Sequence, residues 1–337
     1  MNLNTHTKHI PCLITIFGAT GDLSHRKLFP SLFHLYQQDN LDDHIAIIGV
    51  GRRDYTNDFF REQVKQSIQT HVKDTDRLDE FIEHVFYFKN DVNEEESYHE
   101  LLTFSNELDD TFKLEGNRLF YLAMAPQFFG PISDYLKASG LTETKGFKRL
   151  VIEKPFGSDF KSAEKLNNQL RQSFKEEEIY RIDHYLGKDM VQNIEVLRFA
   201  NAMFEPLWNN KYISNIQITS SEILGVEDRG GYYESSGALK DMVQNHMLQM
   251  VALLAMEAPI SLKSEDIRAE KVKVLKSLRQ LKPEEVNQNF VRGQYGEGTI
   301  NDQRVIAYRD EDRVASDSNT PTFVSGRLTI CLLYTSP

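Results

Sequence analysis

The chain's first apolar run, residues 11–17 (PCLITIF), stops at a glycine and gives way to a helical pattern. A short unbroken apolar run fits a strand buried on both faces, and such strands belong to parallel sheets covered by helices. The alternation then repeats. Residues 45–50 (IAIIGV), 85–88, 119–123 (LFYLA) and 150–153 (LVIE) predict four further strands. Between them lie amphipathic patterns: Leu28, Leu32 and Leu35 on one face, then Phe59, Phe60, Val64 and Ile68 after Thr56, then residues 127–138 after Pro126. Strands alternating with helices predict a parallel, doubly wound α/β sheet.

In such a sheet a ligand sits beyond the carboxyl ends of the strands. The first of those ends carries Gly18-Ala19-Thr20-Gly21-Asp22-Leu23. Glycines let the backbone approach a pyrophosphate, and the following helix start favours negative charge. The spacing is GxxG and falls short of GxGxxG, so by itself it names no ligand. Asp22 also suits the first position of that helix. The second strand runs into Gly51-Arg52-Arg53, with no carboxylate for a ribose hydroxyl. Arginine at this place favours NADP over NAD, an exposed basic turn being the alternative. The fifth strand ends in Glu153-Lys154-Pro155-Phe156-Gly157. Pro155 keeps the residues before it extended, and its peptide bond is a candidate for cis geometry. Lys154 is expected to project into the crevice, unless the strand simply stops at the proline. A helix over 158–174 follows.

Arg181-Ile182-Asp183-His184-Tyr185-Leu186-Gly187-Lys188 is unlike a strand and unlike filler. In an extended segment Asp183 and His184 would face opposite sides and serve different partners. His184 and Lys188 offer donors suited to a phosphate, although a solvated loop is the plainer reading of such a pair. Residues 212–220 alternate as a strand, with Glu222 at its end, and the glycine-rich stretch 225–237 reads as a loop lining a site. Residues 238–256 read as one long apolar helix that carries Asp241, Gln244, Asn245 and His246. Buried polar groups need partners, so this cluster marks a site. A histidine there suits the proton acceptor of a carbinol oxidation, and a carboxylate would fix its tautomer.

Composition narrows the class. The 337 residues suffice for two domains, read as 1–180, holding the nucleotide, and 181–330, holding the substrate. Hydrophobic residues are 40% and charged residues 26%, the balance of a folded globular chain. A net charge of -11 and a pI near 5.5 argue against nucleic acid and anionic membranes as partners. No apolar run approaches the roughly 18 residues of a membrane span. The first ten residues show no signal peptide, so the expectation is cytoplasmic. Cys12 and Cys331 lie far apart, and no HxxxH or CxxC spacing occurs, so neither a disulfide framework nor a metal site is expected.

Taken together, RIDHYLGKDMVQN, GATGDLSHRKLFPSL, EKPFG, FYLAMAP and ALKDMVQNH resemble the glucose-6-phosphate dehydrogenase family, from residue 13 to about residue 330. The resemblance implies a Rossmann-like domain followed by an α+β domain with a large antiparallel sheet. It implies that His246 is the general base for the C1 hydroxyl and that Asp183 orients it. His184, Tyr185 and Lys188 would hold the sugar phosphate, Glu222 and Asp241 its hydroxyls, and Lys154 both substrate and cofactor. Gly18, Thr20, Gly21, Asp22, Leu23 and Arg52, with Asp91, would bind NADP. The implied reaction takes D-glucose 6-phosphate and NADP to 6-phosphoglucono-1,5-lactone and NADPH. A homodimer or higher homo-oligomer is the family expectation for the full-length form.

The departure is at the end. Family members continue through more of the sheet and a TGKR-like segment, whereas residues 331–337 (CLLYTSP) resemble no expected strand and read as foreign sequence. An incomplete sheet with exposed apolar surface is therefore expected, in a chain less stable and less active than its parent. Two other readings remain. One is a dehydrogenase of another sugar or sugar phosphate, separated by comparing turnover on glucose and glucose 6-phosphate. A non-catalytic nucleotide binder would bind NADP without turnover.

Overall fold

The computed structural model describes residues 10–157 and 159–330. Residues 331–337, read above as foreign, lie outside the described residues. The chain divides between Ile182 and Asp183 into two compact units.

The first unit is built on six parallel strands: Cys12–Phe17 (β1), Ile45–Gly51 (β2), Val85–Lys89 (β3), Arg118–Leu122 (β4), Lys148–Ile152 (β5) and Ile179–Arg181 (β6). Their order is β3-β2-β1-β4-β5-β6. The order reverses between β1 and β4, so the crevice where a doubly wound sheet takes its ligand opens there. Alternate residues of each strand feed opposite faces. Leu13, Phe17, Ile48, Val50, Phe120 and Ile152 pack with Tyr98 and Leu101, and with Phe129 and Ile132. Ile14, Ile16, Ile47 and Val85 pack on the other face with Phe29, Phe33, Phe60 and Phe81. The helices supplying these side chains are Phe29–Gln37 (α1), Asn57–His71 (α2), Leu78–Glu83 (α3), Glu96–Phe112 (α4) and Phe129–Ala138 (α5). Each such side chain buried from water contributes roughly 1.5–3 kcal/mol. Cys12 lies in this core, where burial pushes its thiol up to about 12 and leaves it an inert apolar filler.

The expected strands and helices are present, with two differences. β6 follows a helix, Phe160–Leu170 (α6), shorter than expected, and only Ile179 of its three residues is buried. So short a strand leaves no apolar run to read. Asp22 is, as expected, the first helical residue after the turn, with its exposed carboxylate 3.5 Å from Arg26. Thr56 caps α2 by accepting the amide of Phe59.

The second unit is mainly helical. Asp189–Phe199 (α7), Gly230–Ala238 (α8), Leu248–Ala255 (α9), Ser264–Lys276 (α10) and Pro283–Asn289 (α11) precede two short antiparallel ribbons. Phe290–Gly293 (β7) pairs with Phe323–Gly326 (β10), and Gly298–Ile300 (β8) with Gln303–Val305 (β9). Tyr185, Val191, Met250, Ala252, Leu253, Met256 and Val274 form its apolar core. Arg198 and Trp208 donate to the carbonyls of Leu253 and Leu254 at 2.7 and 2.8 Å. These are carbonyls that the end of α9 cannot satisfy itself.

Two expectations fail here. Residues 212–220 form no strand and are mostly exposed. An alternating segment without a ladder partner has nothing to hold it extended. The glycine-rich stretch is largely α8, packed so closely that a Cβ on Gly230 would sit 2.1 Å from the carbonyl of Asp312. The long helix expected over 238–256 is present from Ala238 to Ala255, but its stretch Leu239–Met247 is π-helical and runs straight into α9, while Gly237, with φ of 61°, breaks it from the preceding residues of α8.

Candidate active site

The site residues fall into two sets, one in each unit. In the first, the turn after β1 sits at the reversal of the sheet. Phe17 is level with Val50 of β2 and Leu122 of β4. The amides of Gly18 and Ala19 donate to the carbonyl of Val50 at 3.1 Å. Gly18 has φ of 84°, and a Cβ there would meet the Ala123 carbonyl at 2.4 Å. The turn is thus a cradle that only a bare backbone can form. Ser24, fully buried, donates its hydroxyl to the Gly18 carbonyl at 3.0 Å and ties the turn to the helix start.

Around this cradle the expected residues divide. Thr20, Gly21, Asp22 and Leu23 continue the same turn, with Asp22 and Leu23 at the surface. Arg52 is exposed just past β2, beside Arg53, whose guanidinium donates to the Tyr55 hydroxyl at 2.6 Å. Asp91 serves its own loop, where its Oδ1 accepts both nitrogens of Asn93 and closes a turn after β3. Lys154 follows β5, half-buried, and the Lys154–Pro155 bond is cis, as the sequence allowed. Tyr121 donates its hydroxyl to Glu153 at 2.5 Å, which fixes the residue before that lysine.

In the second unit, Asp183 is the N-cap of a 3-10 turn, His184–Gly187, and its Oδ1 accepts the Tyr185 amide at 3.0 Å. The same Oδ1 lies 2.5 Å from Nδ1 of His246, which is completely buried. Tyr185 stacks on the His246 ring at 4.1 Å, and the His184 ring meets it edge-on at 4.7 Å. Lys188 places its ammonium 3.6 Å from the Tyr185 ring centre. The expectation that Asp183 and His184 face apart is therefore wrong. The chain turns at His184, and ligand-type atoms of Asp183, His184 and His246 lie within 4.8 Å of one another.

Asp241 and His246 are both buried on the π stretch. Its bonds run i→i+5, so residues five apart lie closer around the axis than the divergence of about 140° that an α-helix would give. Asn245 donates to the carbonyls of Lys240 and Asp241, groups loosened by the wider turn. Asp241 is buried, accepts the Tyr232 hydroxyl at 3.1 Å, and has Arg229 at 3.8 Å. Tyr232 and Arg229 were not foreseen, since nothing in their spacing ties them to Asp241. Glu222 is exposed and hydrogen-bonds to none of the cluster's described members. It acts at a distance: burial, then the charges of Asp241 and Glu222, push the Tyr233 phenol up to about 12.

Comparison with known proteins gives the family. Residues 15–193 match the family model described as "Glucose-6-phosphate dehydrogenase, NAD binding domain", and residues 195–332 match "Glucose-6-phosphate dehydrogenase, C-terminal domain". The chain belongs to the glucose-6-phosphate dehydrogenase family. Within the family, it is 59% identical over 318 residues to the glucose-6-phosphate 1-dehydrogenase of Bacillus subtilis (strain 168), covering 94% of this chain and 65% of that one. It is 51% identical to that of Streptococcus pneumoniae, covering 93% and 63%. A solved glucose-6-phosphate dehydrogenase, described as in complex with its substrate glucose-6-phosphate, superposes with a TM-score of 0.87 at 38% identity, over 96% of this chain and 66% of that one. The chain thus spans just under two thirds of the length of the relatives it matches.

Proposed function

We propose that this chain carries the nucleotide-holding and proton-accepting machinery of an NADP-dependent oxidation of D-glucose 6-phosphate at C1, giving 6-phosphoglucono-1,5-lactone. The observation that carries the reading is the 2.5 Å contact between Asp183 and His246 inside a buried, ring-lined cluster. Family membership supports the substrate, and the bare-backbone cradle at Gly18 fits a pyrophosphate.

The site residues other than Asp91 each take a role in this reading. Asp183 holds the proton of His246 on Nδ1 and leaves Nε2 as the basic nitrogen. Nε2 takes the proton of the C1 hydroxyl as the C1–H bond gives up its hydride. The resulting imidazolium is stabilised by the Asp183 carboxylate, and Tyr185 packed on the ring keeps water away from it. His184 and Lys188 hold the 6-phosphate, Asp241 and Glu222 sugar hydroxyls, and Lys154 contacts both ligands. Gly18, Thr20, Gly21, Asp22 and Leu23 cradle the dinucleotide, and Arg52 meets its 2′-phosphate by a charge-assisted contact. Bound there, the nicotinamide supplies the hydride acceptor.

No described helix is long and apolar enough to cross a membrane. A cytoplasmic enzyme, assembled as a homodimer or higher oligomer in its full-length form, completes the proposal. The test follows NADPH absorbance with purified chain, glucose 6-phosphate and NADP, beside a His246→Ala variant. Turnover that depends on His246 and prefers the phosphorylated sugar supports the reading. Equal turnover on glucose, or turnover that survives His246→Ala, overturns it.

A further inference from the structure

Helix α8 is gripped on two sides, and only one of them belongs to the site described above. Residues two apart on a helix point about 200° apart, so Tyr232 and Glu234 face away from each other. Glu234 is clasped by the segment 308–321. Its Oε1 accepts the hydroxyls of Tyr308 and Ser318, each at 2.6 Å, and both donors are buried. Thr320 donates its hydroxyl to the Glu234 carbonyl at 3.1 Å. The amide of Ala238, at the end of the helix, donates to the Pro321 carbonyl at 2.8 Å. On the other side Tyr232 donates its hydroxyl to Oδ1 of the buried Asp241 at 3.1 Å. Arg229, just before the helix, lies 3.8 Å from Oδ2 and 5.2 Å from the Tyr232 ring centre. At 3.8 Å a guanidinium adds attraction, whereas a hydroxyl within hydrogen-bond distance also fixes direction.

We propose that Tyr232 is a positioning residue for substrate binding: standing on a helix anchored through Glu234, it holds the Asp241 carboxylate in the orientation that receives sugar hydroxyls. The inference rests on the reading of Asp241 as a holder of those hydroxyls. A buried carboxylate needs partners to stay ionised. It has about four acceptor positions on its two oxygens, so a bond from Tyr232 aims the group without exhausting it. Glu234 contributes through the backbone. The clasp of Tyr308 and Ser318, 74 and 84 residues along the chain, fixes where α8 stands and so where the Tyr232 hydroxyl is delivered.

The test is a double-mutant cycle of Tyr232→Phe and Asp241→Asn. Glucose 6-phosphate binding to the full 337-residue chain is measured by titration calorimetry. Tyr232→Phe removes one oxygen atom and is expected to weaken binding roughly three- to thirtyfold, with NADP binding unchanged within about twofold. In the Asp241→Asn background the same change is expected to weaken it by less than about twofold. An affinity unchanged by Tyr232→Phe overturns the proposal. So does equal weakening in both backgrounds, which is what a merely structural tyrosine would give. Should Tyr232→Phe fail to fold, by its amide spectrum, Glu234→Gln decides in the same cycle. It is expected to weaken binding beside Asp241 and not beside Asn, and no weakening overturns the proposal. If Asp241→Asn alone leaves the affinity intact, or the unsubstituted chain binds no glucose 6-phosphate, the reading of the site fails and the inference falls with it.

Discussion

Nδ1 of His246 and Oδ1 of Asp183 lie 2.5 Å apart, although 63 residues separate them in the chain. The contact joins a 3-10 turn to a π turn, and each end has its own support: the Tyr185 amide for the carboxylate, the Tyr185 ring for the imidazole.

Asp183→Asn tests that contact with almost no change of shape. The amide can donate where the carboxylate only accepts, so it favours the tautomer with the wrong nitrogen basic. Turnover is expected to fall roughly 10²–10⁴-fold, while NADP binding, followed by fluorescence titration, stays within about twofold. Equal loss of both would mean that the substitution damages the fold rather than the proton acceptor.

Gly18→Ala tests the cradle. Its φ of 84° and a Cβ only 2.4 Å from the Ala123 carbonyl admit no side chain without backbone movement. Strain of this kind costs about 1–3 kcal/mol. A lower thermal midpoint and a nucleotide affinity weakened at least tenfold are expected. Binding as tight as that of the unsubstituted chain would remove the turn from the proposed site.

Arg52 tests cofactor choice. A charge-assisted contact is worth about 1.5–3 kcal/mol, so Arg52→Ala should weaken NADP binding by roughly 10- to 100-fold. NAD, which has no 2′-phosphate, should be nearly unaffected. Parallel titrations with the two nucleotides give the comparison, and equal weakening of both would contradict the assignment.

His25 gives a pH dependence. Burial, then the nearby Arg53, hold its folded-state pKa below the ordinary value, against the pull of Asp22. The folded chain therefore binds fewer protons at this residue than the unfolded chain. Its stabilising contribution is full above the ordinary histidine range and is lost as pH falls toward the depressed value. Urea denaturation across pH 5–7.5 should show His25→Gln losing less stability on acidification than the unsubstituted chain. A steeper acid loss in the variant would reverse the sign.

The sheet was legible because each strand of β1 to β5 is an apolar run closed by a turn residue, a signal that survives without knowledge of neighbours. β6 was not, since a three-residue strand is set by the ladder it joins at Ile152 and Arg181. The pairing of Asp183 with His246 came from the family resemblance; strand geometry alone had turned Asp183 and His184 apart. Residues 212–220 misled for a related reason. Alternation records what a segment is suited to, and only a partner strand makes it a strand.

The π turn has an evolutionary reading. Such a turn is an α-helix with one residue too many, kept despite its looser bonding. Removing a single residue between Asp241 and His246 is expected to restore ordinary helical bonding and swing the imidazole by about 100°, away from Asp183. The shortened chain should melt at a higher temperature yet lose turnover, a pair of outcomes that calorimetry and a rate assay would read together. On this view the helix gives up stability to the site, and selection for sturdiness alone would erase it.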